Sequence, residues 1–508
     1  MTAAGAKLFN MADYAIGRAA RATPGKTALL VYDTANAESP LESWTFEEIE
    51  EAILSIAAGL SARGLQRGDR IAIRLGNSSQ SALLFFAAMA GGFIALPLSD
   101  QLTATELGSL LDDSGARAIA TSTPAADSVA ANVLVLTAED IGGFIRGRDR
   151  ATYAATATDD PAFLIYTSGT TSKPKGVLHA HRSALGRAPM YQGWYGITPD
   201  DRMLHAGAFN WTFTLGVGLT DPWANGATAI VSTGEKAPER WPGLIAATGA
   251  TLFAAVPGVY RQILKYASVD QGALGGLRHG LMAGETPPPG LIEEWTERTG
   301  LPLYEALGMS EISTYISTGP SVPYRPGTVG KPQAGRRVAI LPTEGSDEPL
   351  PSGAEGLIAV HRSDPGLMLG YWNRPAEEAE VLRGDWFVGG DLGSMDDDGY
   401  VTHLGRANEL MNAGGYRVSP LEIEAALAVC PGVAEIACTE VRVRSDVSII
   451  SAFVVGNGTA IDAEQIRAFA AERLAAYKVP KQIVFVDKLP RTANGKIQRK
   501  ALNTLSSR

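Results

Sequence analysis

Short apolar runs alternate with helical stretches over the first 300 residues, and nothing else in the chain restricts its fold so strongly. "IAIRL", "ARAIATS", "VLVLT", "ATAIVS" and "ATLFAAV" are β-like runs separated by helical segments. Such alternation implies α/β layers built on largely parallel sheets. The helices carry their own end signals. In "TFEEIEEAILSIAAGLSARG", Phe46, Ile49, Ile53, Ile56 and Leu60 recur at helical spacing, Thr45 and Glu48 form a capping box, and Gly64 ends the helix. "SALLFFAAMAGGFIALPL", Ser81 to Leu98, is the most membrane-like stretch. Gly91, Gly92 and Pro97 interrupt it, so it reads as a buried helix followed by a short strand rather than as a span.

Texture changes near residue 320. From there to about 405 the chain is rich in Gly, Pro and short strands with turn signals, which predicts a β-rich subdomain. Beyond "HLGRANELM" it becomes compact α+β. In "SPLEIEAALAV", Ser419 caps, Pro420 opens the helix and Glu422 stands three after the cap; "DAEQIRAFAAERLAAY" is a second helix and "KQIVFV" a strand. The expected organisation is a large N-terminal domain over 1–405, with two α/β sheets and a β-rich part at about 320–405. A junction at 406–408 and a small, mobile α+β domain over 409–508 follow.

A chain of 508 residues with 45% apolar content has material for several cores. Its net charge of −10 argues against a nucleic-acid or anionic-membrane binder but leaves room for a local anion site. Cys430 and Cys438 are the only cysteines, and both read as small buried hydrophobes of a reduced, cytoplasmic protein. Histidine is scarce and no HxxxH or CxxC spacing occurs, so no zinc site is expected. The N-terminus lacks the apolar core of a signal peptide. A homodimer stays open.

The chemistry concentrates first in "YTSGTTSKPKG", Tyr166 to Gly176, which follows the buried-looking "AFLIY". Gly169 and Gly176 permit tight backbone paths. The hydroxyls of Thr167, Ser168, Thr170 and Thr171 can converge with backbone N–H groups on phosphate oxygens, and Lys173 and Lys175 add charge. This is not a Walker A loop, because Pro174 separates the lysines.

The stretch resembles the signature loop of the adenylate-forming superfamily, which includes acyl-CoA synthetases, amino-acid adenylation domains and luciferases. Four further motifs follow in that family's order: "YEALGMSE", "WFVGGDLG", "GRANELMNAGGYRVSPLEIE" and "PRTANGKIQR". The resemblance spans Tyr166 to Arg499 and identifies the chain as similar to the AMP-forming CoA ligases.

The resemblance implies the roles that follow. Glu311 is the Mg²⁺ ligand, with Glu305 and Ser310 beside it at the nucleotide. Asp391 accepts the ribose hydroxyls, a task suited to a carboxylate, and Arg406 contacts ribose or phosphate. Gly284, Glu285 and Thr286 line the adenine. His205, Phe209, Asn210, Trp211, Gly308 and Met309 belong to the acyl pocket, His205 with a catalytic part. Asn408 is the hinge, Arg417 is linked to closure, and Gly414 and Gly415 form the CoA channel. Lys496 bridges the carboxylate and the α-phosphate, where a cation offsets the repulsion between two approaching anions. Three positions depart from the family pattern: Ser172 stands for Gly, Gly389 for Thr and Asn408 for Asp or Lys.

The implied reaction joins a carboxylic acid to CoA through an acyl-adenylate, using ATP, Mg²⁺ and coenzyme A. Acetate-specific relatives carry Trp three residues before the glutamate. Gly308 in that place predicts a larger acid, medium-chain or aromatic. Asn210 lacks the charge that amino-acid adenylation domains place there for the substrate ammonium. An acyl-AMP ligase serving a separate carrier protein and a non-catalytic acyl-nucleotide binder are the alternatives; Glu311, Asp391 and Lys496 speak against the binder.

Overall fold

The computed structural model describes residues 8–122, 129–167, 174–270, 272–409, 411–413, 416–444, 447–491 and 497–505. Among these residues, one sheet has nine strands and runs parallel from Thr27–Asp33 through Thr228–Thr233, Arg202–His205, Leu252–Ala255 and His279–Ala283 to Leu303–Met309. Antiparallel strands, Glu42–Thr45 at one side and Ser313–Ser317 with Lys331–Pro332 at the other, close it. A second sheet of seven strands is parallel from Leu134–Leu136 to Pro161–Thr167, then turns antiparallel through Lys175–Ala180 to Gly370–Tyr371. A five-stranded antiparallel sheet lies within 338–406. The small domain holds the hairpin Met411–Ala413 and Tyr416–Val418, and a sheet of Val433–Arg444, Val447–Gly456 and Gln482–Phe485. This is the expected architecture of two α/β sheets, a β-rich part and a small α+β domain.

Local signals explain many of the elements. The helix Phe46–Ala62 starts at Thr45, whose side chain accepts from Glu48 N–H while Glu48 accepts from Thr45 N–H at 2.7 Å. The apolar run folds as the buried helix Ser79–Ala90, turns at Gly92 with φ +77° and continues as the strand Ile94–Pro97. Among the described residues no helix is long and apolar enough to cross a membrane. Cys430 and Cys438 are free and buried in the small domain's core.

Two expectations for the small domain need correction. Ser419 caps the helix Pro420–Ala428 by accepting from Leu421 N–H, but Glu422 does not complete a box; it pairs with Lys478 instead. The second helix stops at Ala471, short of the expected Tyr477, and the chain then turns so that Lys478 can reach Glu422. The Glu422–Lys478 pair thus spans from the first turn of one helix to the turn after the other.

Candidate active site

Several of the candidate residues gather where the sheets meet. Glu311 occupies the turn between the strands Leu303–Met309 and Ser313–Ser317. Tyr371, on the last strand of the other sheet, donates its hydroxyl to Glu311 Oε1 at 2.7 Å, and Met368 N–H donates to the Glu311 carbonyl at 2.8 Å. Among the described residues the Glu311 carboxylate makes no ion pair. Ser310 is tied to the signature hairpin, since His179 Nε2 donates to its carbonyl at 2.8 Å.

A buried ion pair backs this turn. Arg187 donates to both carboxylate oxygens of Asp221 at 2.6 Å and to Ser313 Oγ at 2.5 Å, while Tyr195 donates to Asp221 at 2.7 Å. Ser313 has φ +74°, a region non-glycine residues enter seldom, and the Arg187 contact helps to hold it there. Gly216 packs against the guanidinium so closely that a Cβ would lie 2.2 Å from Arg187 Cζ.

The signature stretch is the link of an antiparallel hairpin, with Thr167 paired to Lys175 and Tyr166 to Gly176. Its base is pinned by Tyr166 donating to Asp113 at 2.6 Å, by Arg374 donating to the same carboxylate at 2.5 Å, and by an ion pair from Lys175 to Glu377. Ser168, Gly169, Thr170, Thr171, Ser172 and Lys173 lie outside the described residues. So do Gly414, Gly415 and Lys496, and the side chain of Arg417 is likewise not described.

Asp391 and Arg406 face each other across the strands Trp386–Met395 and Val401–Arg406, with Arg406 Nη1 3.1 Å from Asp391 Oδ2. His403 donates to the other oxygen at 3.2 Å. Burial pushes the Asp391 carboxyl up, but Arg406 and His403 outweigh it and hold it below its ordinary value. A β-bulge explains the double contact. The register shifts between Leu392 and Gly393, and both an odd and an even position of the partner strand then reach one carboxylate. Sequence reasoning missed His403 for this reason, since strict alternation puts it on the other face. It also missed Tyr371 and Lys236.

Two cavities flank these groups. One, of about 1150 Å³, lies between the large and small domains and brings Thr286 and Glu305 together with His403. Burial raises the Glu305 carboxyl from 4.5 to about 8, so it carries a proton at neutral pH. The folded state retains that proton while the unfolded state loses it above 4.5, so stability falls as pH rises from there through about 8. Glu305→Gln is expected to flatten this decline and to stabilise the protein at pH ~9 by about 1–3 kcal/mol, read from urea melts at pH ~6 and ~9.

The other cavity, of about 720 Å³, is lined by His205, Phe209, Asn210, Trp211 and Glu285, with Asn77, Asp100 and Lys236. Lys236 donates to the carbonyls of Ala206 at 2.8 Å and Gly207 at 3.1 Å, and burial brings its ammonium down to about 8. His205 Nδ1 accepts from Gly207 N–H at 2.8 Å, which leaves the proton on Nε2, buried without a partner among the described residues. Burial, with Lys236 adding to it, lowers the His205 imidazolium to about 3. The ring is therefore a neutral donor near pH 7. Trp211 presses on Gly284, whose φ is +96° and whose Cβ would meet the indole at 2.5 Å.

Gly308 and Met309 line neither of these cavities. The side of Gly308 is filled by the neighbouring strand, for a Cβ would lie 2.6 Å from Ser313 O and 2.7 Å from Thr314 Cα. Glycine here meets a packing demand. At Gly389 the neighbour is the flexible end of Met309, whose Sδ lies 2.4 Å from the would-be Cβ. Asn408 is exposed, in the turn Ala407–Glu409.

The profile of AMP-binding enzymes matches residues 16–372, and that of the AMP-binding enzyme C-terminal domain matches residues 422–496. The chain belongs to the AMP-binding enzyme family. Within the adenylate-forming superfamily it stands in the CoA-ligase branch, as an ATP-dependent acid–thiol ligase with ATP and CoA as substrates. It is 30% identical over 482 residues to the 3-hydroxybenzoate–CoA ligase of Aromatoleum sp. (strain CIB), covering 91% of this chain and 92% of that one. It is also 30% identical over 498 residues to the mouse mitochondrial acyl-coenzyme A synthetase ACSM3, covering 90% and 83%. The benzoate CoA ligase of Burkholderia xenovorans LB400 superposes with a TM-score of 0.87 at 29% identity, covering 98% and 100%.

Proposed function

We propose that this ligase activates an aromatic or medium-chain carboxylic acid in preference to acetate, and that the residues gathered around Glu311 and Asp391 hold the nucleotide. The acid preference is supported by the likeness to an aromatic-acid ligase and an acyl-coenzyme A synthetase. The nucleotide site is supported by one locus in which Tyr371-oriented Glu311 and the Asp391–Arg406–His403 cluster meet beside the Thr286–Glu305 cavity. Asp391 takes the ribose hydroxyls, protonated Glu305 and Thr286 face the base, and the signature hairpin with Lys175 receives phosphate oxygens. The acid's carboxylate oxygen attacks the α-phosphorus, the bond to the β-phosphate oxygen breaks, and pyrophosphate leaves. Lys496 offsets the charge of the approaching anions. The thiol of CoA then attacks the acyl carbonyl and AMP leaves.

Polar groups along the 720 Å³ cavity suit the amide-rich arm of CoA better than an alkyl or aryl group, so we assign that cavity to CoA, with Trp211 as its inner wall. The junction at 406–408 serves as the hinge about which the small domain exchanges Lys496 for the face of Gly414 and Gly415. A cytoplasmic location fits the free, buried cysteines.

An oxygen ligand that makes no ion pair among the described residues and is oriented by a hydroxyl fits a magnesium ion at Glu311. Bound there, Mg²⁺ would neutralise phosphate charge. Tyr371 keeps the Glu311 carboxylate turned towards that place, so Tyr371→Phe is expected to weaken Mg²⁺ binding in the presence of ATP by about 10–100-fold. Calorimetric titration of the ion reads it.

The deciding experiment is a panel of 3-hydroxybenzoate, benzoate, hexanoate and acetate with ATP and CoA, reading AMP and thioester together. The expected order puts the aromatic acids or hexanoate above acetate, with AMP and thioester equal. Turnover of acetate alone would refute the acid preference, and AMP without thioester would favour a carrier-protein acceptor.

A further inference from the structure

A single carboxylate joins the two domains at the rim of the CoA cavity. Glu435 lies on the small-domain strand Val433–Arg444. Its Oε1 is 2.8 Å from Nη2 of Arg261, on the large-domain helix Pro257–Tyr266, and its Oε2 is 2.8 Å from Nη2 of Arg491 in the small domain. Arg491 in turn lies 3.8 Å from Glu285, on the large domain's loop beside the nucleotide cavity. The chain of charges therefore crosses between the domains twice, from Arg261 to Glu435 and from Arg491 to Glu285. All four side chains are half-buried or deeper, between 14% and 29% exposed, where ion pairs are screened less than at an open surface. Burial pushes the Glu435 carboxyl up, yet the two arginines outweigh it and hold it below its ordinary value.

The location gives this network its meaning. Arg491 immediately precedes residues 492–496 and bridges Ile497, which follows them. Arg261, Glu285 and Arg491 also line the 720 Å³ cavity. We propose that Glu435 is a positioning residue for the first half-reaction: by gripping Arg261 and Arg491 at once, it holds the small domain in the adenylate-forming arrangement. The inference rests on the two-step reading above. The grip favours one arrangement over the other, and the second half-reaction requires its release. Removing it moves the balance between the half-reactions without touching any reacting atom.

The test separates the half-reactions. Exchange of labelled pyrophosphate into ATP reads the first, and thioester formation from supplied acyl-adenylate and CoA reads the second. Glu435→Gln and Glu435→Ala are each expected to slow exchange by about 10-fold, the worth of one or two partly buried ion pairs, and to leave thioester formation equal or faster. The exchanged pair Arg261→Glu with Glu435→Arg is expected to recover part of the exchange. Undiminished exchange in both single variants would overturn the proposal. So would an equal loss in both half-reactions, which marks a merely structural role. Failure of the unaltered enzyme to exchange pyrophosphate with every acid of the panel would sink the reaction itself, a separate result.

Discussion

Lys496→Ala is expected to lower pyrophosphate exchange by a factor of about 10²–10³ while leaving thioester formation from supplied acyl-adenylate within a few-fold of the unaltered enzyme. The carboxylate and the α-phosphate both carry negative charge. In a site of effective dielectric ~20, two unit charges at ~4 Å repel by about 4 kcal/mol. A cation between them removes much of that barrier and stabilises the charge that builds at phosphorus. Once the mixed anhydride exists this repulsion has gone, and the thiol attacks a neutral carbonyl. The split between the steps is therefore the diagnostic result. An equal loss in both would show the side chain serving the fold instead, and full exchange would remove it from the mechanism.

Asp221→Ala is expected to cost about 3–5 kcal/mol of stability, read as a lowered urea midpoint at unchanged slope. Asp221 is fully buried, and it accepts from Arg187 through both oxygens and from Tyr195. Its removal strands a guanidinium inside the protein, packed against Gly216. Function is expected to fall as well, because Arg187 holds Ser313 in its unusual backbone conformation two residues after Glu311. A double replacement, Arg187→Met with Asp221→Leu, is expected to regain most of the stability and little of the activity. Recovery of both would show that the pair only fills space.

Much of this architecture is written locally. The Thr45–Glu48 box, the glycine after the Ser79–Ala90 helix and the alternation of apolar runs each depend on residues a few positions apart, and a reader of the chain can evaluate them. The motif residues Glu311, Asp391 and Arg406 were legible through resemblance, and the fold brings them to one place. What was illegible depends on register or on distance along the chain. His403 reaches Asp391 only because of a bulge. Tyr371 meets Glu311 across 60 residues, and Arg187 meets Asp221 across 34. The packing reason for the glycine at 308 was illegible too, because the obstacle is backbone of the next strand.

On the roles proposed above, the clasp on the sugar ends at Arg406, and exposed Asn408 comes two residues later. Any swivel begun at Asn408 leaves Asp391, His403 and Arg406 behind with their cargo. An energy-rich mixed anhydride is thus retained through the changeover instead of being spilled into solvent, where hydrolysis would waste one nucleotide for every molecule lost.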